Sequence, residues 1–342
     1  MIQANSPVVK AALVGAGRMG RHHARTWAKN VPGARLAGVV DARLAAAEAL
    51  AAEFGAEAFD SVEALLAAHP DLAVATVATP TIYHTAAALP LLRRGIGVLI
   101  EKPLAPSAAE ARVLAEVAAR HGATLQVGHV ERYNPAVRAL VAQKLKPRHL
   151  EAVRTSPMTF RSLDVSVIMD MGIHDLDILL ALAGAPVVKV EAHGQSVVSQ
   201  STDHCSAWLT FANGVRAHLT SSRLALTTTR TLKLFADDAF AHLDYGTKAG
   251  AVYRMKNHAG PLAGVQARLA NNEDLSAEKY ADMLQAEVLD IAPYAGCDQL
   301  TAQATAFLDA VLNKTTPVVT AQDGINAIVA AEMIAAAISA NR

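Results

Sequence analysis

A histidine flanked by carboxylates is the strongest candidate for chemistry in this chain. His174 follows Asp170 by four residues and precedes Asp177 by three, so on a helix the three side chains form one polar stripe. An imidazole, with an ordinary pKa of about 6.5, suits general-base catalysis near neutral pH. The alternatives are a satisfied core histidine or an Asp/His metal pair. Because further metal ligands are not evident, no metal site is predicted.

A second candidate set ends a short apolar strand. Val98–Ile100 leads directly into Glu101, Lys102 and Pro103. A lysine at the end of a strand can orient a hydroxyl or stabilise a developing alkoxide, and Glu101 can accept hydrogen bonds. The alternative is a surface ion pair worth at most about 1 kcal/mol.

A glycine-rich turn follows the first predicted strand and opens a helix. Glycines with this spacing permit a tight turn and close approach of the backbone to a pyrophosphate, and the helix N-terminus offers free N–H groups. The sequence therefore predicts a dinucleotide site. The residues expected to bind the cofactor at this turn are Gly15, Gly17, Arg18, Met19 and Gly20.

Asp41 ends the second predicted strand, 21 residues beyond Gly20. A carboxylate at that point accepts hydrogen bonds from the adenosine ribose and repels a 2′-phosphate, which favours NAD over NADP. Arg43 nearby leaves room for the phosphorylated cofactor.

Thr79, Pro80 and His84 follow another strand, Leu72–Ala78, at the edge of the sheet where ligands of such folds bind. We expect them to contact the cofactor. The alternative is that a threonine only caps the next helix and that His84 is a solvated first-turn residue.

Composition limits the class of protein. The 342 residues are 52% hydrophobic and 18% charged, with a formal net charge of zero. This balance excludes a disordered chain and disfavours a partner that is a nucleic acid or a membrane surface. Cys205 and Cys297 support neither a disulfide framework nor a zinc site. No leader pattern is visible at Met1–Ser6, so a cytoplasmic protein is expected.

Alternating strands and helices in the first third predict a parallel sheet of βα units. The second part reads as a largely antiparallel or mixed sheet with helices, and Asn213-Gly214 is a hairpin signal. We therefore predict an α/β protein with a Rossmann domain over 1–127 and a substrate-binding and oligomerisation domain over 128–342. Ala249–Pro293 is expected to be a loop-rich insertion. The predicted strands are Val8–Val14, Leu36–Val40, Leu72–Ala78, Val98–Ile100, Thr124–Val127, Val153–Phe160, Val187–Val198, Ser206–Phe211, Val215–Ser222 and Thr231–Leu234.

Together these motifs resemble the superfamily of glucose-fructose oxidoreductase, inositol dehydrogenase and rhizopine catabolism proteins (Gfo/Idh/MocA), and the resemblance spans nearly the whole chain. It implies an N-terminal Rossmann domain and a C-terminal α/β domain whose open, largely antiparallel sheet forms an oligomer interface. It also implies that Lys102 assists at the substrate hydroxyl, that His174 is the acid/base, and that Asp170 lies beside it.

Within the superfamily the chain is most similar to the UDP-N-acetylglucosamine 3-dehydrogenases. That resemblance implies a UDP-sugar substrate, an aminotransferase as functional partner, synthesis of lipid A or O-antigen precursors, and a homodimer or homotetramer. Arg132 and Arg161 are candidate phosphate ligands, Tyr133 could stack on the substrate, and Asn134 is expected in the same pocket. Each could equally be structural. A free-sugar or inositol dehydrogenase and a non-catalytic sugar-sensing regulator are the alternative functions.

Overall fold

A computed structural model describes residues 8–160, 165–255, 261–276 and 284–341. The first domain is built on a six-stranded parallel sheet of order β3-β2-β1-β4-β5-β6, the doubly wound arrangement. Its strands are short and apolar because helices cover both faces, so that Ala11, Ala12 and Leu13 of β1 are all fully buried. The strands are β1 (Val9–Val14), β2 (Ala34–Val40), β3 (Glu57–Phe59), β4 (Val74–Val77), β5 (Gly97–Glu101) and β6 (Leu125–Gly128).

Helices connect these strands, and their ends follow local sequence signals. Ser107 caps α5 by accepting a hydrogen bond from the Glu110 N–H, and Gly122 closes that helix in the left-handed region at φ 65°. The helices of this domain are α1 (Arg18–Arg25), α2 (Leu44–Phe54), α3 (Val62–Ala68), α4 (His84–Arg93) and α5 (Ala108–His121).

The second domain carries an eight-stranded sheet of order β14-β13-β12-β11-β7-β10-β9-β8. Only the pair β7 and β10 is parallel, so the prediction of a largely antiparallel sheet is confirmed. The Asn213-Gly214 turn joins β9 to β10, with Gly214 at φ 86°. The strands are β7 (Pro147–Thr155), β8 (Val187–Gln195), β9 (His204–Phe211), β10 (Arg216–Ser222), β11 (Thr229–Ala236), β12 (Ala239–Asp244), β13 (Ala249–Met255) and β14 (Leu284–Val288).

Two predictions about this domain were wrong. The segment Ala249–Pro293 is not mainly loop, because β13, β14 and a helix, α8 (Pro261–Ala270), lie within it. The strand predicted at Val153–Phe160 is β7, which begins earlier and ends at Thr155. Polar residues with exposed surface concealed the start of β7 and the whole of β14.

Helices of the second part of the chain pack on both sheets. α7 lies on the inner face of the second sheet, whereas α9 returns to the first sheet, where Phe307 and Leu308 are buried with Trp27. α10 is long and apolar enough to cross a membrane, but it packs against α7, α5 and β8 as a core helix. The remaining helices are α6 (Pro135–Ala142), α7 (Ile173–Ala183), α8 (Pro261–Ala270), α9 (Gln299–Asn313) and α10 (Ala321–Ala340).

Candidate active site

The glycine turn between β1 and α1 forms an open anion cradle. Gly15 has φ +105° and lies so close to β4 that an added Cβ would meet the Ala78 carbonyl carbon at 2.7 Å. At Gly20 a Cβ would collide with the Gly15 oxygen, whereas at Gly17 it would meet nothing within 4 Å. Because no side chain caps α1, its first N–H groups face this opening. The residues therefore fit the pyrophosphate of a dinucleotide.

Asp41 lies beside this turn, at the end of β2. Its carboxylate accepts hydrogen bonds from the Ala16 N–H at 2.8 Å and the Arg43 N–H at 2.9 Å, one on each oxygen. The side chain keeps 16% of its surface exposed, and each oxygen has a further lone pair for a ribose hydroxyl. The carboxylate thus fits an adenosine ribose.

His84 lies behind the loop that follows β4. The side chain is buried, with Nδ1 2.9 Å from the Pro103 carbonyl oxygen and Nε2 3.0 Å from the Thr79 carbonyl oxygen. Burial, outweighing those contacts, lowers the pKa of His84. The imidazole thus ties together the loop after β4, at Thr79, and the loop after β5, at Pro103. The Thr79 hydroxyl is buried and has no protein partner among the described residues.

Glu101 ends β5 and is held from two sides. It contacts His23 Nε2 at 2.7 Å and accepts a hydrogen bond from the Lys102 N–H at 3.1 Å. Burial acts to raise the pKa of Glu101, but the contact with His23 and the Lys102 charge outweigh it, so the pKa is lowered. Glu101 therefore fixes the backbone from which Lys102 extends.

Lys102 reaches from the first domain to the second. Its ammonium donates to the Asp170 carbonyl oxygen at 2.6 Å and lies 3.5 Å from the carboxylate oxygen Oδ1. Asp170 lies in a π-helical turn, Ile168–Gly172, that runs directly into α7. Such turns alter the usual carbonyl pattern of a helix and are frequent at functional sites. The lysine and the aspartate are the first two groups of the candidate site.

His174 lies in the first turn of α7, beside this pair. Burial is the main cause that holds the pKa of His174 well below its usual range, and the charges of Lys102 and Arg154 add to it. The imidazole is therefore neutral near pH 7 and can accept a proton. Its Nδ1 is buried and, among the described residues, has no hydrogen-bond partner.

His129 adds a second buried imidazole near His174. It follows β6, whose register pairs Gly128 with Glu101, so His129 and Lys102 leave the sheet at the same edge. Neither ring nitrogen of His129 has a partner within the described part of the chain, and burial lowers its pKa. Unpaired buried nitrogens cost about 1–3 kcal/mol each, so they point to water or ligand at this place.

Two buried ion pairs fix α7. Arg154 of β7 binds Asp175 through two nitrogens, at 2.6 and 3.2 Å, and also contacts Glu131. Arg132 binds Asp177 in the same bidentate manner, at 2.6 and 3.0 Å. Because Asp175 and Asp177 follow His174 by one and three residues on the same helix, these pairs fix the turn of α7 that carries the base. The predicted polar stripe of Asp170, His174 and Asp177 is thus divided in its roles. Asp170 lies at the candidate site, whereas Asp177 forms a structural ion pair with Arg132.

Three residues expected in the substrate pocket are structural in their contacts. Arg132 is engaged by Asp177 and lies 3.6 Å from Asp323, so it is not a free phosphate ligand. Tyr133 is 4% exposed and its hydroxyl contacts Gln126, which prevents stacking on a ligand.

Asn134 is also buried, and it caps α6 by accepting a hydrogen bond from the Ala136 N–H. Arg161, the other arginine expected to bind phosphate, lies outside the described residues.

Sequence reasoning did not select His129, Arg154 or Arg230 for the site. A signal for both arginines existed: each occurs on the apolar parity of its strand, Arg154 after Leu150 and Ala152, and Arg230 before Leu232 and Leu234. A charge at such a position indicates a buried pair or a ligand. Among the described residues, no cluster of His, Cys, Asp and Glu suits a metal ion.

Comparison with known families agrees with this geometry. Residues 9–129 match the oxidoreductase family with an NAD-binding Rossmann fold, and residues 136–251 match the GFO/IDH/MocA C-terminal domain. The chain is therefore an oxidoreductase that uses NAD. It belongs to the Gfo/Idh/MocA family, as its motifs indicated.

Individual relatives narrow the comparison. The UDP-N-acetylglucosamine 3-dehydrogenase of Acidithiobacillus ferrooxidans is 34% identical over 90% of this chain and 93% of its own length. A crystal form of that enzyme superposes with a TM-score of 0.84, at 32% identity and 97% coverage of both chains. The scyllo-inositol 2-dehydrogenase (NAD(+)) of Bacillus subtilis is 28% identical over 63% of this chain and 67% of its own.

Proposed function

We propose that this protein oxidises the C3 hydroxyl of UDP-N-acetylglucosamine to a ketone, with NAD as oxidant. The observation that carries the chemistry is the contact of Lys102 with Asp170, one helical turn before a buried His174 on which the Lys102 charge acts. The nucleotide sugar is supported by the extended similarity to the Acidithiobacillus ferrooxidans enzyme, which covers both domains.

The reaction removes a hydride from C3 and a proton from its hydroxyl. Bound NAD would supply the acceptor for this hydride. Residues Gly15–Gly20 would hold its pyrophosphate, and Asp41 would hold its adenosine ribose. Lys102 donates a hydrogen bond to the C3 oxygen, and Asp170 keeps the ammonium in place. His174, neutral because it is buried beside cations, takes the hydroxyl proton.

Several wider properties belong to the same proposal. A 3-keto sugar nucleotide is a substrate for an aminotransferase, so we place the enzyme before such a step, in the synthesis of lipid A or O-antigen precursors in the cytoplasm. We further propose that the open face of the second sheet joins copies of the chain into a homodimer or homotetramer. Trp208 on that face is 50% exposed and stacks with His218.

Product analysis tests the proposal directly. The protein is incubated with NAD and UDP-N-acetylglucosamine, N-acetylglucosamine or scyllo-inositol, and an aminotransferase with glutamate traps any ketone for mass analysis. We expect an aminated UDP-sugar and little turnover of the free compounds. Comparable oxidation of a free sugar or inositol would replace this proposal by a polyol dehydrogenase. Binding of NAD without turnover of any of the three would favour a sensing role.

A further inference from the structure

Arg230 occupies an unusual position near the start of β11. Register pairs it with Arg154 of the adjacent strand β7. It shares the parity of Leu232 and Leu234, which are both buried on the inner face of the sheet. Yet Arg230 itself is exposed. The inner face therefore opens to solvent at this point, one strand away from the arginine that holds α7.

The position is close to the proposed base. Arg154 binds Asp175, the residue that follows His174, and Arg230 is the cross-strand neighbour of Arg154. The lowered pKa of His174 agrees with this proximity. Burial lowers the pKa of His174 most, and Arg230 is among the cations that lower it further. Arg230 is thus part of the surroundings of the candidate active site.

Among the described residues, Arg230 has no carboxylate of its own, unlike the other arginines nearby, because the Asp175 carboxylate that its charge also acts on is bound by Arg154. Arg132 is paired with Asp177, and Arg154 with Asp175 and Glu131. In the part of the chain that the structure describes, Arg230 makes no ion pair. A cation placed beside a base weakens that base, so its presence on the inner face indicates an anionic ligand.

We propose that Arg230 binds the diphosphate of the nucleotide-sugar substrate, a role that rests on the function proposed above. Its planar guanidinium matches phosphate oxygens and forms strong charge-assisted hydrogen bonds. The diphosphate would neutralise the free charge and anchor the substrate while the sugar reaches Lys102 and His174. Arg230 then takes the role that the sequence analysis gave to Arg132 or Arg161.

A comparison of UDP with uridine isolates the contribution of the diphosphate to binding from that of the base and ribose. Isothermal titration with the NAD-loaded protein compares the wild type with Arg230→Gln, Arg230→Lys and Lys233→Gln. Lys233 is a matched control because it is an exposed cation of the same strand on the opposite face of the sheet, beside Glu151. We expect Arg230→Gln to weaken the affinity for UDP about 10- to 100-fold and to leave the affinities for uridine and NAD unchanged.

The two other variants sharpen the result. Arg230→Lys keeps the charge and should retain more of the UDP affinity than Arg230→Gln, while Lys233→Gln should match the wild type. Unchanged UDP affinity in a folded Arg230→Gln, with wild-type oxidation of UDP-N-acetylglucosamine intact, would overturn the role of Arg230 alone. A wild type that neither binds UDP nor oxidises the UDP-sugar would overturn this inference and the proposed function together.

Discussion

His174 combines two properties at the scale of a single residue. Burial and neighbouring cations hold its pKa low, so the imidazole is neutral, and its Nδ1 is left without a protein partner among the described residues. A neutral imidazole beside a lysine suits the removal of a hydroxyl proton while the lysine steadies the oxygen. The expected consequences are kinetic.

Replacing the imidazole should affect catalysis far more than folding. We expect His174→Ala to lower kcat about 10²- to 10⁴-fold, the usual loss of general acid–base catalysis, with NAD binding retained. His193→Ala is the matched control, since His193 is exposed on β8 and distant in sequence from the site. Steady-state kinetics and fluorescence titration with NADH measure the two effects. Near-normal turnover of His174→Ala would remove this residue from the mechanism.

The low pKa of His174 also sets the pH dependence. The base works only when neutral, that is, above its pKa, and the fold lowers this pKa below the ordinary value of about 6.5. The profile of kcat/KM against pH reports the free enzyme, so the pKa of its acid limb should lie below 6.5. Initial rates between pH 5 and 8 locate it. An acid limb above pH 6.5 would show that another group controls the proton.

Residue type and spacing selected Lys102, Asp170 and His174 as candidates, and the fold brings Lys102 into contact with Asp170. Residue type and spacing did not reveal that Arg132 is paired, because its partner Asp177 lies 45 positions away and only the fold brings the two together. Tyr133 and Asn134 were expected in the substrate pocket for the same reason, since their burial depends on tertiary packing that the local sequence does not show. A local sequence pattern identifies a functional group, but its partners depend on distant parts of the chain.

At the scale of elements, ion pairs fix the site helix. Arg154 links β7 to α7 and to the short helix that contains Glu131, and its side chain is only 5% exposed. A buried pair of this kind adds little net stability, but the loss of one partner leaves uncompensated charge. We therefore expect Arg154 to determine both the stability of the second domain and the placement of His174.

The same strand supplies a comparison for Arg154. Arg148 also binds its partner Asp237 through two nitrogens, at 3.0 and 2.9 Å, but both side chains are more than 70% exposed. Arg154→Met should lower the free energy of unfolding by about 3–5 kcal/mol and reduce kcat, whereas Arg148→Met should change neither measurably. Urea unfolding measures the change in the free energy of unfolding, and steady-state kinetics measure the change in kcat. Equal losses in the two variants would show that burial of the pair has no special role.

Elements with a strong apolar period were predictable, and polar edge strands were not. All five strands predicted for the first domain are present, because each is a short apolar run buried on both faces. β14 was missed because it is the edge strand of the second sheet and is largely exposed, and β13 lies next to it. The π-helical turn at Asp170 has no sequence signal; within it Gly172 packs so closely on Ser221 that an added Cβ would lie 2.9 Å from the serine hydroxyl oxygen.

At the scale of the whole molecule, the second sheet has one face covered by helices and one open face. Aromatic and imidazole rings form a row across the open face, from Tyr253 and Phe240 through Phe235 and His149 to Trp208. Such an exposed patch is typical of a protein–protein interface. It supports the oligomer proposed above.

A charge on this open face should separate the protomers. We expect Trp208→Glu to lower the mass measured by light scattering from that of the wild-type oligomer towards a monomer, with unchanged circular dichroism. Val113→Glu is the control, because Val113 is an exposed apolar residue of α5 in the other domain. A wild-type monomer, or a Trp208→Glu variant of unchanged mass, would contradict an interface centred on this row.

The central claim is that hydride leaves C3 of UDP-N-acetylglucosamine in a site formed by Lys102, Asp170 and His174. Deuterium placed at C3 of the substrate tests it directly, because mass spectrometry of the NADH formed reveals where the hydride came from. We expect NADH that carries one deuterium from the C3-labelled substrate and none from a C4-labelled control. Unlabelled NADH from the C3-labelled substrate, or deuterated NADH from the C4-labelled one, would contradict it.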